Sequence, residues 1–483
     1  MDATRRKWLA LVLLAATQFM IVIDVSIVNV ALDPIKTALD FSEANLSWVL
    51  NAYTLTFGGL LLLGGRLADL LGRRRVFAIG LAVFTVGSLL CGFAENSAML
   101  ITARALQGLG AAIVSPAALS ILTVTFEEGA ERNKALGVWG AVAGLGGAVG
   151  VLAGGFLTDW LDWRWIFWVN VPIGVLALVM TWVLLTESKV DDAHRSFDVL
   201  GGVVGTAGLG LLIYGFVQTA EKGHGWGTGL TAGTLVGAVA LLAGFLAIES
   251  RAKSPLMPLR LFKLRGVAGA NLAGFLLGCA IFAMFYFLSR YMAIVQGLGP
   301  KEIGVRYLLV AGTIVVAAAV SQALVTKVGV RPVLSLGMAL LAAGLAYFAF
   351  IRVNGTYGRD LVPGFILSGV GLGFSFIPVA IGALEGVEAR DAGVASGVVN
   401  TAQQVGGAVG LGILGSIANL GTDRYLSDKN IIGEPSRADV ASSLVQGYHW
   451  AFWVGVVLSV LGVVASLVMI RGGKLQDGAP TAH

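Results

Sequence analysis

Charge is what this sequence has least of. Asp, Glu, Lys and Arg make up only 13% of its 483 residues, and 57% are hydrophobic. An ordinary soluble domain carries about a quarter charged residues. A soluble chain of this length needs far more polar surface to cover itself, so lipid is expected to solvate much of it. Cysteine is nearly absent, and both copies, Cys91 and Cys279, lie inside apolar runs, which argues against a disulfide framework. The four histidines have no close spacing, so no metal site is expected. No GxxxxGK[ST] motif occurs. The glycine-rich GLGGAVG at 144–150 follows no strand and is not read as a dinucleotide loop. Nucleotide hydrolysis, a bound cofactor and nucleic acid are therefore not expected.

What the chain does have is apolar runs about 20 residues long, the length of a membrane-spanning helix. Fourteen such runs lie between residues 8 and 470, the first near 8–32 and the last near 448–470. Arg5, Arg6 and Lys7 precede the first run, which has no small-residue cleavage site and reads as a retained helix. The loop near 66–75 carries Arg66, Arg73, Arg74 and Arg75. The loop near 250–266 carries Arg251, Lys253, Arg260, Lys263 and Arg265. Such excess belongs on the cytoplasmic side, so both termini are expected there, in a multi-pass cell-membrane protein that touches lipid all round. Glu249 and Glu385 fall at cytoplasmic span ends, where solvation is the expected state. The polar stretch near 420–447 is expected to be a mobile outer loop.

Two features ask for more than topology. The stretch GGRLADLLGRRRVF at 64–77 combines an acid and glycines with its arginines. Gly72 suits a tight turn, Gly65 a close helix contact, and Asp69 lies four residues before Arg73, where it could bond it or cap a neighbouring helix. Asp24 and Arg104 lie deep within spans 1 and 4, where an ionisable group costs at least ~2.5 kcal/mol and needs a partner or a function. Asp24 stands roughly 12 Å from its outer span end and Arg104 roughly 9 Å, at 1.5 Å per residue, so the two are expected level with each other.

The arginine-rich stretch resembles the loop 2–3 signature of the major facilitator superfamily. Other stretches resemble its fourteen-helix drug:proton antiporter branch: FMIVIDVSIVNVAL (19–32), LSWVLNAYTL (46–55), LITARALQGLGAAIVSP (100–116), WRWIFWVNVPIG (163–174) and GVASGVVNTAQQVGGAVGLGILGSI (393–417). The resemblance implies an all-α membrane protein with the major facilitator fold. Residues 1–190 would form one six-helix bundle and 266–483 the other with a cytoplasmic tail. Residues 191–265 would form an inserted helix pair with linkers. VTKVGVRPV (325–333) occupies the matching place in the second half but has no acid.

The implied activity is proton-coupled export of amphipathic, cationic organic compounds by alternating access, driven by the proton gradient and carried out by a monomer. A same-fold exporter of a lipid, siderophore or other metabolite, or a proton symporter, is the alternative. Asp24 with Arg104 would couple protons, or else form a permanent structural ion pair. Gly65, Asp69, Gly72, Arg73 and Arg74 would latch the cytoplasmic side. Asn29, Asn51, Tyr53, Gln107, Phe282, Tyr286, Asn400 and Gln403 are the candidate substrate contacts. Gly150, Gly154 and Gly155 form the glycine face of the antiporter helix. Two departures stand out. Val151 replaces the proline of the family's G-P-x-x-G-G motif, and Arg290 and Arg306 stand where uncharged residues are expected; facing the cavity, they would favour an anionic group.

Overall fold

Hydrocarbon offers no hydrogen bonds to backbone groups, and this chain meets that constraint with helices throughout its described residues. The structure, a computed structural model, describes residues 2–126, 130–188, 198–219, 228–252, 255–387, 392–429 and 436–470. Fourteen long helices follow one another: α1 (Ala3–Ala38), α2 (Trp48–Leu71), α3 (Arg73–Gly92), α4 (Ser97–Thr125), α5 (Ala130–Trp160), α6 (Asn170–Leu184), α7 (Val199–Gln218), α8 (Gly229–Arg251), α9 (Arg265–Arg290), α10 (Pro300–Val328), α11 (Val330–Phe348), α12 (Val362–Gly382), α13 (Ala392–Asp428) and α14 (Arg437–Met469). Helices α1–α6 pack into one bundle and α9–α14 into a second, while α7 and α8 pair with each other and α7 lies against α2 and α13. Their exposed residues are largely apolar, among them Val236, Val239 and Val468, as a lipid-facing surface requires.

The start of α1 and the α2–α3 turn lie on the basic face of the molecule. Gly72 makes that turn with φ +105°, and Gly329 makes the matching α10–α11 turn with φ +89°, a region that L side chains rarely adopt. The two halves thus share a glycine hairpin at equivalent places.

The bundles meet unequally. At the face opposite the basic one, a Cβ on Gly155 would stand 2.7 Å from the Pro300 carbonyl, and one on Gly304 would stand 2.9 Å from that of Val151. Lys301 lies over the rings of Phe156 and Trp160. One apolar cluster runs without a break from Ile27, Val30 and Val151 in the first half to Ile303, Tyr307 and Leu288 in the second. One turn toward the basic face, a Cβ on Gly147 would meet nothing within 4 Å, and the same holds for Gly312 on α10. The halves therefore close together at the opposite face and part between α5 and α10 toward the basic face. Val151, in the proline position, fills this contact, since it is buried against Gly304.

Three expectations are corrected. Glu249 is not a solvated span end: it is 3% exposed, and its carboxylate accepts hydrogen bonds from the backbone N–H groups of Leu256 (3.3 Å) and Met257 (3.0 Å). A chain turning back beneath α8 leaves those amides without helical partners, and the acid supplies them. The stretch 420–447 is not one long loop, because α13 extends to Asp428 and α14 begins at Arg437. Arg306 does not sit in a central cavity; it donates to Gln296 Oε1 (2.5 Å) and stacks on Tyr357. Most of the linker 186–197, residues 430–435 and the tail beyond 470 lie outside the described residues.

Candidate functional site

Small residues bring α1, α2, α3, α4 and α6 close enough to bury a charge. A Cβ on Gly108 would stand 2.4 Å from the Tyr53 carbonyl, and one on Gly87 would stand 2.8 Å from the Gln107 backbone. In hydrocarbon such close approach replaces the missing hydrophobic drive between helices. The Asp24 carboxylate lies at the centre of these helices with no accessible surface, and the Arg104 side chain is 1% exposed.

Every oxygen of that carboxylate is held. Arg104 Nη1 donates to Asp24 Oδ2 at 2.6 Å, Gln107 Nε2 to Oδ1 at 2.7 Å, and Asn170 Nδ2 to Oδ1 at 2.9 Å. Arg104 is held in turn. Its Nε donates to the Val49 carbonyl (3.0 Å), Nη1 also donates to Gln107 Oε1 (2.7 Å), and its guanidinium carbon lies 4.3 Å from the Tyr53 ring centre. Ser88 completes the set. It accepts from Gln107 and Asn170 and donates to the Phe167 carbonyl at 2.8 Å. The two levels counted from the sequence therefore converge on one ion pair, inside the first half rather than in the gap between halves.

The remaining candidates divide. Asn51, Tyr53 and Gln107 are sealed in helix packing. Neither polar atom of the Asn51 side chain, nor the Tyr53 hydroxyl, has a hydrogen-bond partner. Asn29 is buried and turns back onto the Val25 and Ser26 carbonyls, so the hydrogen bonds of its amide stay on its own helix. Phe282 and Gln403 are half-buried and Asn400 is exposed, while Tyr286 lines a small cavity near the opposite face together with Arg290. Gly150 and Gly154 pack on α1 at Ile23, Ser26 and Ile27, and Gly155 packs on α10.

At the arginine-rich turn the Asp69 side chain lies outside the described residues. Among the described side chains, an acid that engages the turn is Glu187, just past α6. Its carboxylate accepts from the backbone N–H groups of Arg74 (3.1 Å) and Arg75 (3.2 Å), while Arg73 N–H donates to the Ser188 carbonyl (3.0 Å). An anion at a helix N-terminus satisfies orphan amides and the helix dipole together. Arg74 also stacks on Trp182. Gly65 lies near Pro116, where a Cβ would make an ordinary 3.5 Å contact.

Sequence reasoning missed Asn170, Ser88 and Glu187. Asn170 lies inside the quoted stretch 163–174 but was not singled out there, and the signal for Ser88 was a lone hydroxyl within an apolar run, which ordinarily serves as an interhelical contact.

Two six-helix bundles, packed together at one face, open between α5 and α10 beside Gly147, and with a charge pair buried inside the first of them, define a two-bundle membrane transporter. The family model described as Major Facilitator Superfamily matches residues 14–411, and the chain belongs to that family. It is 39% identical to the puromycin resistance protein pur8 of Streptomyces alboniger, over 96% of this chain and 92% of that protein. It is 42% identical to the cephamycin export protein CmcT of Amycolatopsis lactamdurans, over 86% and 85% respectively. Among solved structures, a bacterial homologue of the human lysosomal transporter Spinster superposes with a TM-score of 0.68 at 16% identity, covering 96% of this chain and 97% of that one. That likeness concerns the fold alone.

Proposed function

We propose that the protein exports amphipathic organic compounds, antibiotics among them, across a bacterial cell membrane in exchange for protons. The basic face is then cytoplasmic and both termini lie inside, as the arginine-rich turn requires. The observation that carries proton coupling is the Asp24 carboxylate, in the middle of a spanning helix and held by three donors from two other helices. A proton added to Asp24 Oδ2 removes the charge that pairs with Arg104 and the lone pair its Nη1 uses, while Oδ1 still accepts from Gln107 and Asn170, so Arg104 must shift toward another acceptor. The internal packing of α1 and α4 thereby depends on protonation. Export of relatives' cargo, puromycin resistance and cephamycin export in their names, supports the drug-efflux part of the reading.

Cargo enters between α5 and α10 on the parted side, and the turn at Gly72 with Arg73, Arg74 and Glu187 steadies the basic face when the movement reverses. A cationic cargo finds the ring of Phe282, while the Asp24 carboxylate is already held by Arg104, Gln107 and Asn170.

The test is transport in proteoliposomes with and without a pH gradient, unaltered protein against Asp24→Asn. Loss of gradient-driven export at least tenfold, with insertion and folding retained, is expected. Export by Asp24→Asn at the unaltered rate would remove Asp24 from the mechanism.

A further inference from the structure

The link between α8 and α9 is densely basic. Residues 250–266 carry Arg251, Lys253, Arg260, Lys263 and Arg265 and no acid. A loop that served only to set topology would need the charge and no fixed course. This one is strapped down. The Glu249 carboxylate gathers in the backbone amides of Leu256 and Met257. The buried Leu256 lies against the first turn of α7, where a Cβ on Gly202 would stand 3.4 Å from its Cδ1. Further along, Leu261 is buried with Val267 of α9 and Ala395 of α13. The link therefore runs from the inserted pair to the second bundle along one defined path.

A short 3₁₀ helix in it, Leu259–Lys263, sorts the side chains. With about three residues per turn, positions i and i+3 share a side. Leu261 is turned to the protein with Leu264 packed beside it, while Arg260 and Lys263 share an exposed side. Arg251, Lys263 and Arg265 are exposed, and among the described residues no carboxylate pairs with them. The acids of this corner are turned onto backbone instead. Asp198 Oδ1 accepts from the Gly201 N–H at 2.7 Å, as Glu249 does from its two amides.

Next to these cations lies surface made for hydrocarbon. Leu200 and Val203 at the start of α7 are 63% and 55% exposed, and Leu246, little more than a turn before Arg251, is 48% exposed. Acyl chains cover such a surface where water would be rejected. A row of cations at the edge of an acyl-covered face matches an amphiphile with an anionic head. Lys and Arg at that level attract anionic headgroups, and the guanidinium fork suits phosphate oxygens. We infer that Arg251, Lys263 and Arg265, beside Leu200, Val203 and Leu246, form a docking surface for anionic phospholipids of the adjoining leaflet. The lipid chains lie along α7 and α8, and the phosphate sits among the basic groups. Docking of this kind does not depend on what the protein transports, so the export reading can fail without it.

Cys91 and Cys279 are both buried, so a fluorophore on Leu200→Cys reports this corner alone. The labelled full chain is reconstituted in phosphatidylcholine bilayers with a small share of bromine-bearing lipid. The bromine is carried either by phosphatidylglycerol or by phosphatidylcholine, and the quenching is compared. Phosphatidylglycerol should quench about threefold more strongly. Lys263→Gln with Arg265→Gln should bring the ratio close to one. Arg5→Gln with Lys327→Gln, which removes two exposed charges elsewhere on the basic face, should leave it unchanged. High salt should lower the ratio with no charge substituted, which keeps the result independent of any folding defect in the variants. Equal quenching by the two lipids before any charge is removed overturns the inference. So does equal loss of the preference in both charge variants, which marks a general surface potential. A preference abolished by inorganic phosphate, but not by chloride at equal ionic strength, also overturns it, since the corner then takes a small anion and not a lipid.

Discussion

Among the described residues two arginines lie buried, and they are held in opposite ways. Arg104 meets its acid inside one bundle, with Gln107, Asn170, Ser88 and Tyr53 closing around the pair. Arg290 meets its acid, Asp33, across the seam, on the other half. A pair within a bundle survives rocking and can change only by taking up a proton. In the alternating-access reading proposed above, a pair across the seam is the one that rocking would disturb. The first arrangement suits energy coupling, and the second suits a gate.

The largest effect is expected from breaking the internal pair. Arg104→Met leaves Asp24 charged and alone, and should lower the unfolding free energy by about 3–5 kcal/mol, measured by denaturation in detergent. The double variant Asp24→Leu with Arg104→Met should recover most of that stability while gradient-driven export stays absent. Recovery of both stability and export would make the pair purely structural.

The glycine hairpins allow a sharper comparison between the halves. Gly72→Ala combines φ +105° with a Cβ 2.7 Å from Glu187 Oε1, and should cost about 2 kcal/mol. Gly329→Ala meets the backbone penalty, about 1 kcal/mol, and should melt closer to the unaltered protein. Glu187→Gln keeps the shape but removes the charge at the α3 N-terminus, with an expected loss of about 0.5–1 kcal/mol.

The gentlest test leaves stability aside. A cysteine at Gly147 should react with a polar thiol reagent at least tenfold faster than one at Gly155, since only the first faces open space. Equal rates in the unaltered background would contradict the parting of α5 from α10.

Much of this architecture could be read from the sequence, because the bilayer imposes a length and polarity on each span that a chain cannot hide. Asp24 and Arg104 were legible for the same reason: charge at that depth is costly. Asn170 and Ser88 were not, since amides and hydroxyls are ordinary in spanning helices. Glu187 was obscured by its setting in ESKVDD, where an acid is expected in water. Asp33 and Arg290 stand 257 residues apart, and nothing local to either names the other. Glu249 misled because the backbone it caps belongs to a turn that has no apolar period.

The inserted pair makes the molecule one-sided. On one flank α7 lies along the join of α2 and α13, with Thr206 against Gly59, and Ile213 and Phe216 beside Gly412. Thr219 also bonds to Ser416. Among the described residues, no helix lies so over the join of α5 and α10. In the export reading proposed above, a compound dissolved in the hydrocarbon layer would meet a wall on the α7 flank and open space on the other, beside Gly147. A bulky residue there would bar solutes arriving from lipid while leaving the route from water untouched.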